Sequence, residues 1–135
     1  MSTDQADLAD RIERSWTEPD RLDAAAVEEA VGMLDRGELR VAEPDGDGWR
    51  VNEWAKMAVL LYFRVRDLET TEVGPFEYHD RLPLKSGYER AGVRVVPPAT
   101  ARYGAFLQAS MPDLITDQFE KIGTAAEGCD VIVGA

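Results

Sequence analysis

Five basic residues in the middle of the chain could do binding chemistry together: Arg64, Arg66, Lys85, Arg94 and Arg102. A guanidinium presents its N–H groups as a planar fork that matches the two oxygens of a carboxylate, and a lysine ammonium adds a compact charge. The local balance favours such a role, since residues 54–102 hold eight Lys or Arg against six Asp or Glu. We therefore expect this cluster to recognise the carboxylates of a small ligand. The alternative is that each cation pairs with an acid on the surface.

His79 is the catalytic candidate because it is the single imidazole of the chain and belongs to the residue type that titrates near neutral pH. It lies between Tyr78 and Asp80. A general base needs a group that orients it and a substrate within hydrogen-bond reach, and sequence places neither. A surface or structural histidine is the alternative.

No metal or cofactor site is expected. Cys129 is the single cysteine, so it has no disulfide partner in the chain and, with only His79 as imidazole, cannot anchor a zinc ion. The glycines of the GDG segment, Gly46 and Gly48, do not form a nucleotide loop, because no suitable strand precedes them and no helix follows directly.

The charge is strongly acidic and unevenly spread, with a net value of −11. Residues 1–50 hold fourteen Asp or Glu against six Arg. Such a surface repels nucleic acid, whose binding depends on neutralised phosphates. The chain has no run of 18 apolar residues, and its polar, acidic start does not resemble a secretory leader. We expect a cytoplasmic protein with neither a nucleic-acid nor a membrane partner.

Four helices are predicted, and the most apolar of them is central. Ten of the fifteen residues from Asn52 to Arg66 are apolar, which predicts a helix buried on more than one side. The other stripes predict helices over 4–16 and 21–36, which form an antiparallel hairpin, and over 112–122. Gly37 is the expected stop of the second helix.

Strand signals are shorter and lie between the helices. A hairpin is predicted from 39–42 with 49–52, and 72–80 reads as a strand broken at Gly74-Pro75. Two further strands are expected at 93–96 and 130–133, the last needing a sheet edge or another subunit. The fold class is α+β: a helical hairpin and a central buried helix packed with a small antiparallel β element. Residues 1–107 form its body, and 108–135 a divergent tail of the same compact domain.

Three separated blocks carry a resemblance to a known family. They are AVGMLDRGELRVAEPDGDGWRVNEWAKMAVLLYFRVRD at 30–67, FEYHDRLPLK at 76–85 and GVRVVPPATARYGAFL at 92–107. Together they resemble the amino-terminal domain of tetrahydrodipicolinate N-succinyltransferase, an acyltransferase of bacterial lysine and diaminopimelate synthesis. The resemblance implies a helical domain with a small β element.

The same resemblance implies a missing part. In that family a left-handed β-helix of hexapeptide repeats follows, binds coenzyme A, carries the catalytic acids and forms the trimer. One coil needs about eighteen residues and repeat folds need about three repeats, whereas residues 108–135 keep no six-residue register. We therefore expect no left-handed β-helix in this chain and no coenzyme A cofactor. Two hypotheses remain open. The first is a non-catalytic module that forms a homo-oligomer or docks onto a separate acyltransferase, with residues 93–107 and 131–133 as the interface. The second is a repurposed small enzyme that acts on an amino or dicarboxylic acid without coenzyme A.

Overall fold

Three helices form the body of the domain, in a computed structural model that describes residues 3–97, 99–107 and 130–132. Helix α1 runs Thr3–Thr17, α2 runs Ala24–Arg36 and α3 runs Glu53–Val65, with a short 3-10 turn at Pro19–Arg21 between the first two. Helix α3 contacts both α1 and α2. These three helices confirm the predicted segments within three residues at each end.

Apolar residues at helical spacing form one core between the three helices. It contains Leu8, Ala9, Ile12, Ala26, Val27, Ala30, Val31, Leu34, Leu39, Trp54, Ala55, Ala58, Leu61 and Tyr62. Helix α2 begins at Asp23, whose carboxylate accepts the Ala26 N–H at 3.0 Å. It ends at Gly37, which takes the left-handed conformation at φ 75°. The stop predicted at Gly37 is confirmed.

The expectation that α3 is buried on more than one side is wrong. Its buried residues, Trp54, Ala55, Ala58, Leu61 and Tyr62, all lie on one face. The opposite face is open to solvent, and Leu60 there is 55% exposed. Helix α3 is still the central helix of the core, as predicted, because both α1 and α2 pack against its buried face.

Two β-hairpins extend from the helices. Strand β1 (Ala42–Asp45) pairs antiparallel with β2 (Gly48–Val51), and β3 (Glu69–Val73) pairs antiparallel with β4 (Phe76–Asp80). The first hairpin was predicted with its first strand three residues earlier, at 39–42. Leu39 instead packs into the core directly after α2, so pairing starts only at Ala42.

The β3–β4 hairpin corrects a second prediction. The sequence predicts one strand over 72–80, broken at Gly74-Pro75, and no strand before it. Gly74, at φ 57°, and Pro75 instead form a two-residue turn, which folds the segment back on Glu69–Val73. Primed turns place glycine at the first central position, so Gly74-Pro75 joins two strands where one interrupted strand was expected.

The last sheet pairs β5 (Val93–Val95) in parallel with β6 (Asp130–Ile132). The strand predicted at 130–133 therefore finds a sheet edge in its own chain. The helix predicted over 112–122 lies outside the described residues. Three helices with small two-stranded sheets confirm the α+β class.

Candidate functional site

A small pocket of about 90 Å³ lies against one face of the β3–β4 hairpin. Glu69 pairs with Asp80 and Thr71 pairs with Tyr78 across the two strands, so their four side chains share a face and line one wall. Residues 81–84 form the floor, and Thr100 and Arg102 close the far side. The pocket thus joins three segments that are distant in sequence.

Backbone pairing fixes Arg102 in this position. Leu84 and Arg102 form an isolated antiparallel bridge. On either side of it, Lys85 donates its N–H to the Ala101 carbonyl, and Tyr103 donates to Pro83, each at 2.8 Å. These bonds hold the 101–103 segment beside the floor of the pocket and leave the Arg102 guanidinium facing Asp80.

Asp80 is the charged centre of the pocket. Its Oδ2 accepts Arg102 Nη1 at 2.9 Å, and its Oδ1 accepts the Arg81 backbone N–H at 2.8 Å. The Arg102 hydrogen bond, followed by the Arg81 N–H, lowers the pKa of the Asp80 carboxyl. Arg102 also lies over the Phe63 ring, 6.0 Å from its centroid, which orients the guanidinium from the α3 side.

The pocket includes Arg81, a cation that the sequence does not place with the five predicted binding residues. Arg81 Nη1 donates to the Arg66 carbonyl at 2.6 Å and so ties the pocket to the end of α3. No local signal identifies it, because continued strand alternation would place Arg81 on the face opposite Asp80.

The other predicted cations do not join Arg102 in the pocket. Arg64 Nη2 donates to the Pro19 carbonyl at 3.2 Å on the outer side of α3. Arg66 lies between Glu28 and Glu69, at 3.8 and 3.6 Å, and its buried Nε has no hydrogen-bond partner.

Lys85 and Arg94, the other two predicted cations, also lie outside the pocket lining. Lys85 Nζ is 2.6 Å from Asp35 Oδ1 and only 16% exposed, so this ammonium is engaged in an ion pair. Arg94 is exposed on β5. A ligand-binding role for these cations stays a prediction.

His79 lies on the face of β4 opposite the pocket. It is paired with Thr70, and its Nδ1 is 2.9 Å from the Thr70 hydroxyl oxygen. Because side chains alternate along a strand, the imidazole points away from Tyr78 and Asp80. The structure therefore separates His79 from Arg102, and a catalytic role for His79 stays a prediction.

A second cleft, of about 480 Å³, lies between α1, the segment after α2, the β1–β2 hairpin and the start of α3. Its walls are acidic, and Arg50 at one wall forms an ion pair with Glu43. Among the residues described, no group of three or more His, Cys, Asp or Glu side chains could hold a metal ion. No helix in the described part of the chain is long and apolar enough to cross a membrane.

Comparison with known proteins gives one consistent match. Residues 7–65, which run from α1 to the end of α3, match the family described as tetrahydrodipicolinate N-succinyltransferase N-terminal. The match begins at residue 7, before Ala30, where the resemblance noted from the sequence begins. It includes the β1–β2 hairpin, whereas the pocket residues from Glu69 onward lie beyond it.

The curated relatives are much longer than the matched part. All three that follow are named 2,3,4,5-tetrahydropyridine-2,6-dicarboxylate N-succinyltransferase. The protein from Alkalilimnicola ehrlichii is 54% identical over 88 residues, and that from Coxiella burnetii is 45% identical over 86, each match covering 61% of this chain and 32% of the relative. That from Bordetella petrii is 42% identical over 115 residues, covering 75% of this chain and 42% of the relative. The chain thus spans about a third to two fifths of their length.

Proposed function

Because this chain contains an amino-terminal domain of the tetrahydrodipicolinate N-succinyltransferase family, we propose that it is a non-catalytic module that docks onto an acyl-transferring subunit. The observation that carries the proposal is the apolar face of the β1–β2 hairpin. Register places Ala42 opposite Val51 and Pro44 opposite Trp49, so these four apolar side chains share one face. We call this surface the Trp49 face.

The Trp49 face is uncovered. Trp49 is 71% exposed and Val51 is 46% exposed, and every residue of the hairpin except Glu43 is exposed. A two-stranded hairpin is marginal by itself in water and gains stability when one face packs against a partner. Tryptophan is one of the residue types enriched among the anchors of protein interfaces. The surface therefore has the composition of a docking site.

Charge favours an acyltransferase subunit over a second copy of this chain. The first 50 residues, which include most of the hairpin, hold fourteen acids against six arginines. Two copies that met through this region would bring like charges together, which opposes association. The relatives carry more than half of their length beyond the matched part. We propose that the Trp49 face packs against the acyl-transferring portion of such a protein.

Sedimentation velocity tests this proposal with the purified chain and the full-length Bordetella petrii relative. We expect the chain to co-sediment with that enzyme and to be monomeric when alone. Burying the exposed part of Trp49, on the order of 140 Å², is worth about 3 kcal/mol at about 25 cal/mol per Å². W49S should therefore weaken the complex on the order of a hundredfold.

The matched control is L60S, which removes a comparably exposed leucine from α3. L60S should bind like the wild type, and both variants should keep the native circular dichroism spectrum. Absence of any complex, or equal weakening by L60S, would contradict the Trp49 face as the docking surface. If the chain instead associates with itself and W49S abolishes that association, the partner on the Trp49 face is a second copy of this chain.

The alternative is a repurposed small enzyme acting on an amino or dicarboxylic acid without coenzyme A. It needs His79 near the predicted cations, and the imidazole lies on the strand face away from Arg102. We therefore favour the module, and we expect no succinyl transfer from succinyl-coenzyme A by the chain alone. Turnover by this chain that H79A abolishes would reverse that preference.

A further inference from the structure

The pocket under the β3–β4 hairpin has a balanced set of charges. Two carboxylates line it, Glu69 and Asp80, together with two guanidinium groups, Arg81 and Arg102. Arg66 approaches Glu69 from outside the pocket, but Glu28 approaches Arg66 from its other side. The lining therefore adds up to no net charge, whether or not these two outer residues are counted.

One cation and one anion of the pocket, Arg102 and Glu69, can each form further hydrogen bonds. Asp80 uses one oxygen for Arg102 Nη1 and the other for the Arg81 N–H. Arg102 lines the pocket, is 52% exposed and forms its ion pair through Nη1, which leaves further guanidinium N–H groups for a ligand. Glu69 is 67% exposed, and its nearest cation, at 3.6 Å, is beyond hydrogen-bond distance. Glu69 and Arg102 can therefore both contact a molecule bound in the pocket.

A dicarboxylate fits this lining poorly. Its first carboxylate could bind Arg102, but the other guanidinium, Arg81, already donates to the Arg66 carbonyl at 2.6 Å. The second negative charge would therefore meet Glu69 or Asp80, and like charges at close range repel. The volume of about 90 Å³ is also well below the roughly 300–1,000 Å³ of ordinary ligand pockets. The pocket suits a small molecule that carries both charges a few ångströms apart.

We infer that this pocket binds the zwitterionic head group of a small α-amino acid. Arg102 takes the carboxylate, helped by the Thr100 hydroxyl, and Glu69 takes the ammonium group. Asp80 holds Arg102 in place and is not itself the main contact. This inference does not depend on docking through the Trp49 face, which lies on the other hairpin.

Calorimetric titration of the full chain tests the inference with four small probes. Alanine carries both charges, acetate only the carboxylate, methylammonium only the cation, and glutarate two carboxylates. Because a hydrogen bond to a charged group is worth about 1.5–3 kcal/mol, each single-charge probe should bind at least about tenfold more weakly than alanine. Glutarate should also bind more weakly than alanine.

Three variants separate the pocket from general surface charge. R102Q should weaken alanine binding by at least about tenfold. E69Q should weaken alanine and strengthen glutarate, because it removes the ammonium partner and a repelling charge together. R64Q is the matched control, since Arg64 donates to the Pro19 carbonyl on the outer side of α3 and does not line the pocket.

Tighter binding of glutarate than of alanine would overturn the inference, as would an equal loss in R64Q and R102Q or no heat with alanine. If R102Q loses its native circular dichroism spectrum, the opposite responses of E69Q to alanine and glutarate decide the question. Glu69 is an exposed strand residue, so E69Q should fold.

Discussion

Replacing Lys85 with methionine should destabilise the domain without removing a binding group. Lys85 Nζ is 2.6 Å from Asp35 Oδ1 and 3.1 Å from the Asp35 carbonyl oxygen, and both side chains are less than a fifth exposed. The same Oδ1 accepts the Gly104 N–H at 2.9 Å. Asp35, near the end of α2, thus anchors both segments that carry the pocket floor and Arg102.

The cost of K85M follows from what Asp35 loses. Methionine keeps a similar length and an apolar stem but removes the ammonium, together with its two hydrogen bonds. A hydrogen bond to a charged group contributes about 1.5–3 kcal/mol, and a fully buried orphan charge costs about 3–5 kcal/mol. Asp35 is partly solvated and keeps the Gly104 bond, so we expect a loss of about 2 kcal/mol. For a domain of this size that lowers Tm by about 6–8 °C.

Urea unfolding followed by circular dichroism measures this loss, and K56M is its matched control. Lys56 and Glu53 form an exposed pair at 3.1 Å, for which the same substitution should cost less than about 0.5 kcal/mol. If K85M lowers the free energy of unfolding no more than K56M does, the Lys85–Asp35 pair does not anchor these segments. If K85M keeps full stability but loses alanine binding, Lys85 is a binding residue, as its sequence context predicts.

Two further predictions concern acid stability and a glycine turn. Arg11, followed by the Ala26 N–H, lowers the pKa of Asp23, so its stabilising contribution is complete above about pH 4 and is lost as pH falls through the native-state value. D23N keeps a capping side chain and should lower the free energy of unfolding by about 0.5–1 kcal/mol at pH 7. In urea unfolding, the difference between wild type and D23N should become smaller below pH 4. A difference that stays constant with pH would contradict the prediction. G37A should lower the free energy of unfolding by about 2–4 kcal/mol, because a Cβ at Gly37 would lie 2.8 Å from the Phe106 ring. In the control G46A the new Cβ meets no atom within 4 Å, so only the positive φ contributes and the loss should be about 1–2 kcal/mol. Equal losses in the two variants would refute the steric explanation.

Sequence was sufficient for the helices because their information is local. Leu8 and Ile12 recur at helical spacing, and Gly37 supplies the stop of α2. The start of α2 was predicted at residue 21, three residues before Ala24, where the helix begins after its cap at Asp23. The extent of burial was not predictable in the same way. Leu60 belongs to the most apolar segment of the chain, yet it is 55% exposed, because burial depends on which side of α3 the other helices occupy.

The hairpins show where local signals compete. Leu39 and Val41 alternate with polar residues as a strand would, but the core behind α2 takes Leu39 and delays pairing to Ala42. Thr70 and Thr71 follow the end of α3 and are weak helix formers, but threonine is also a good strand former, which favours β3. Once Gly74-Pro75 is treated as a two-residue primed turn, β3 becomes predictable.

The pocket depended on contacts that no local pattern contains. Arg102 reaches Asp80 only because Leu84 and Arg102 pair across the chain, and that bridge has no signature in either segment. His79 failed to join them for a reason that is local: one step along β4 reverses the direction of the side chain. Treating Glu69, Thr71, Tyr78 and Asp80 as one strand face would have separated His79 from the pocket and drawn attention to Asp80. The charge balance that favours an amino acid over a dicarboxylate follows from that same alternation, since it places Glu69 and Asp80 side by side facing Arg102.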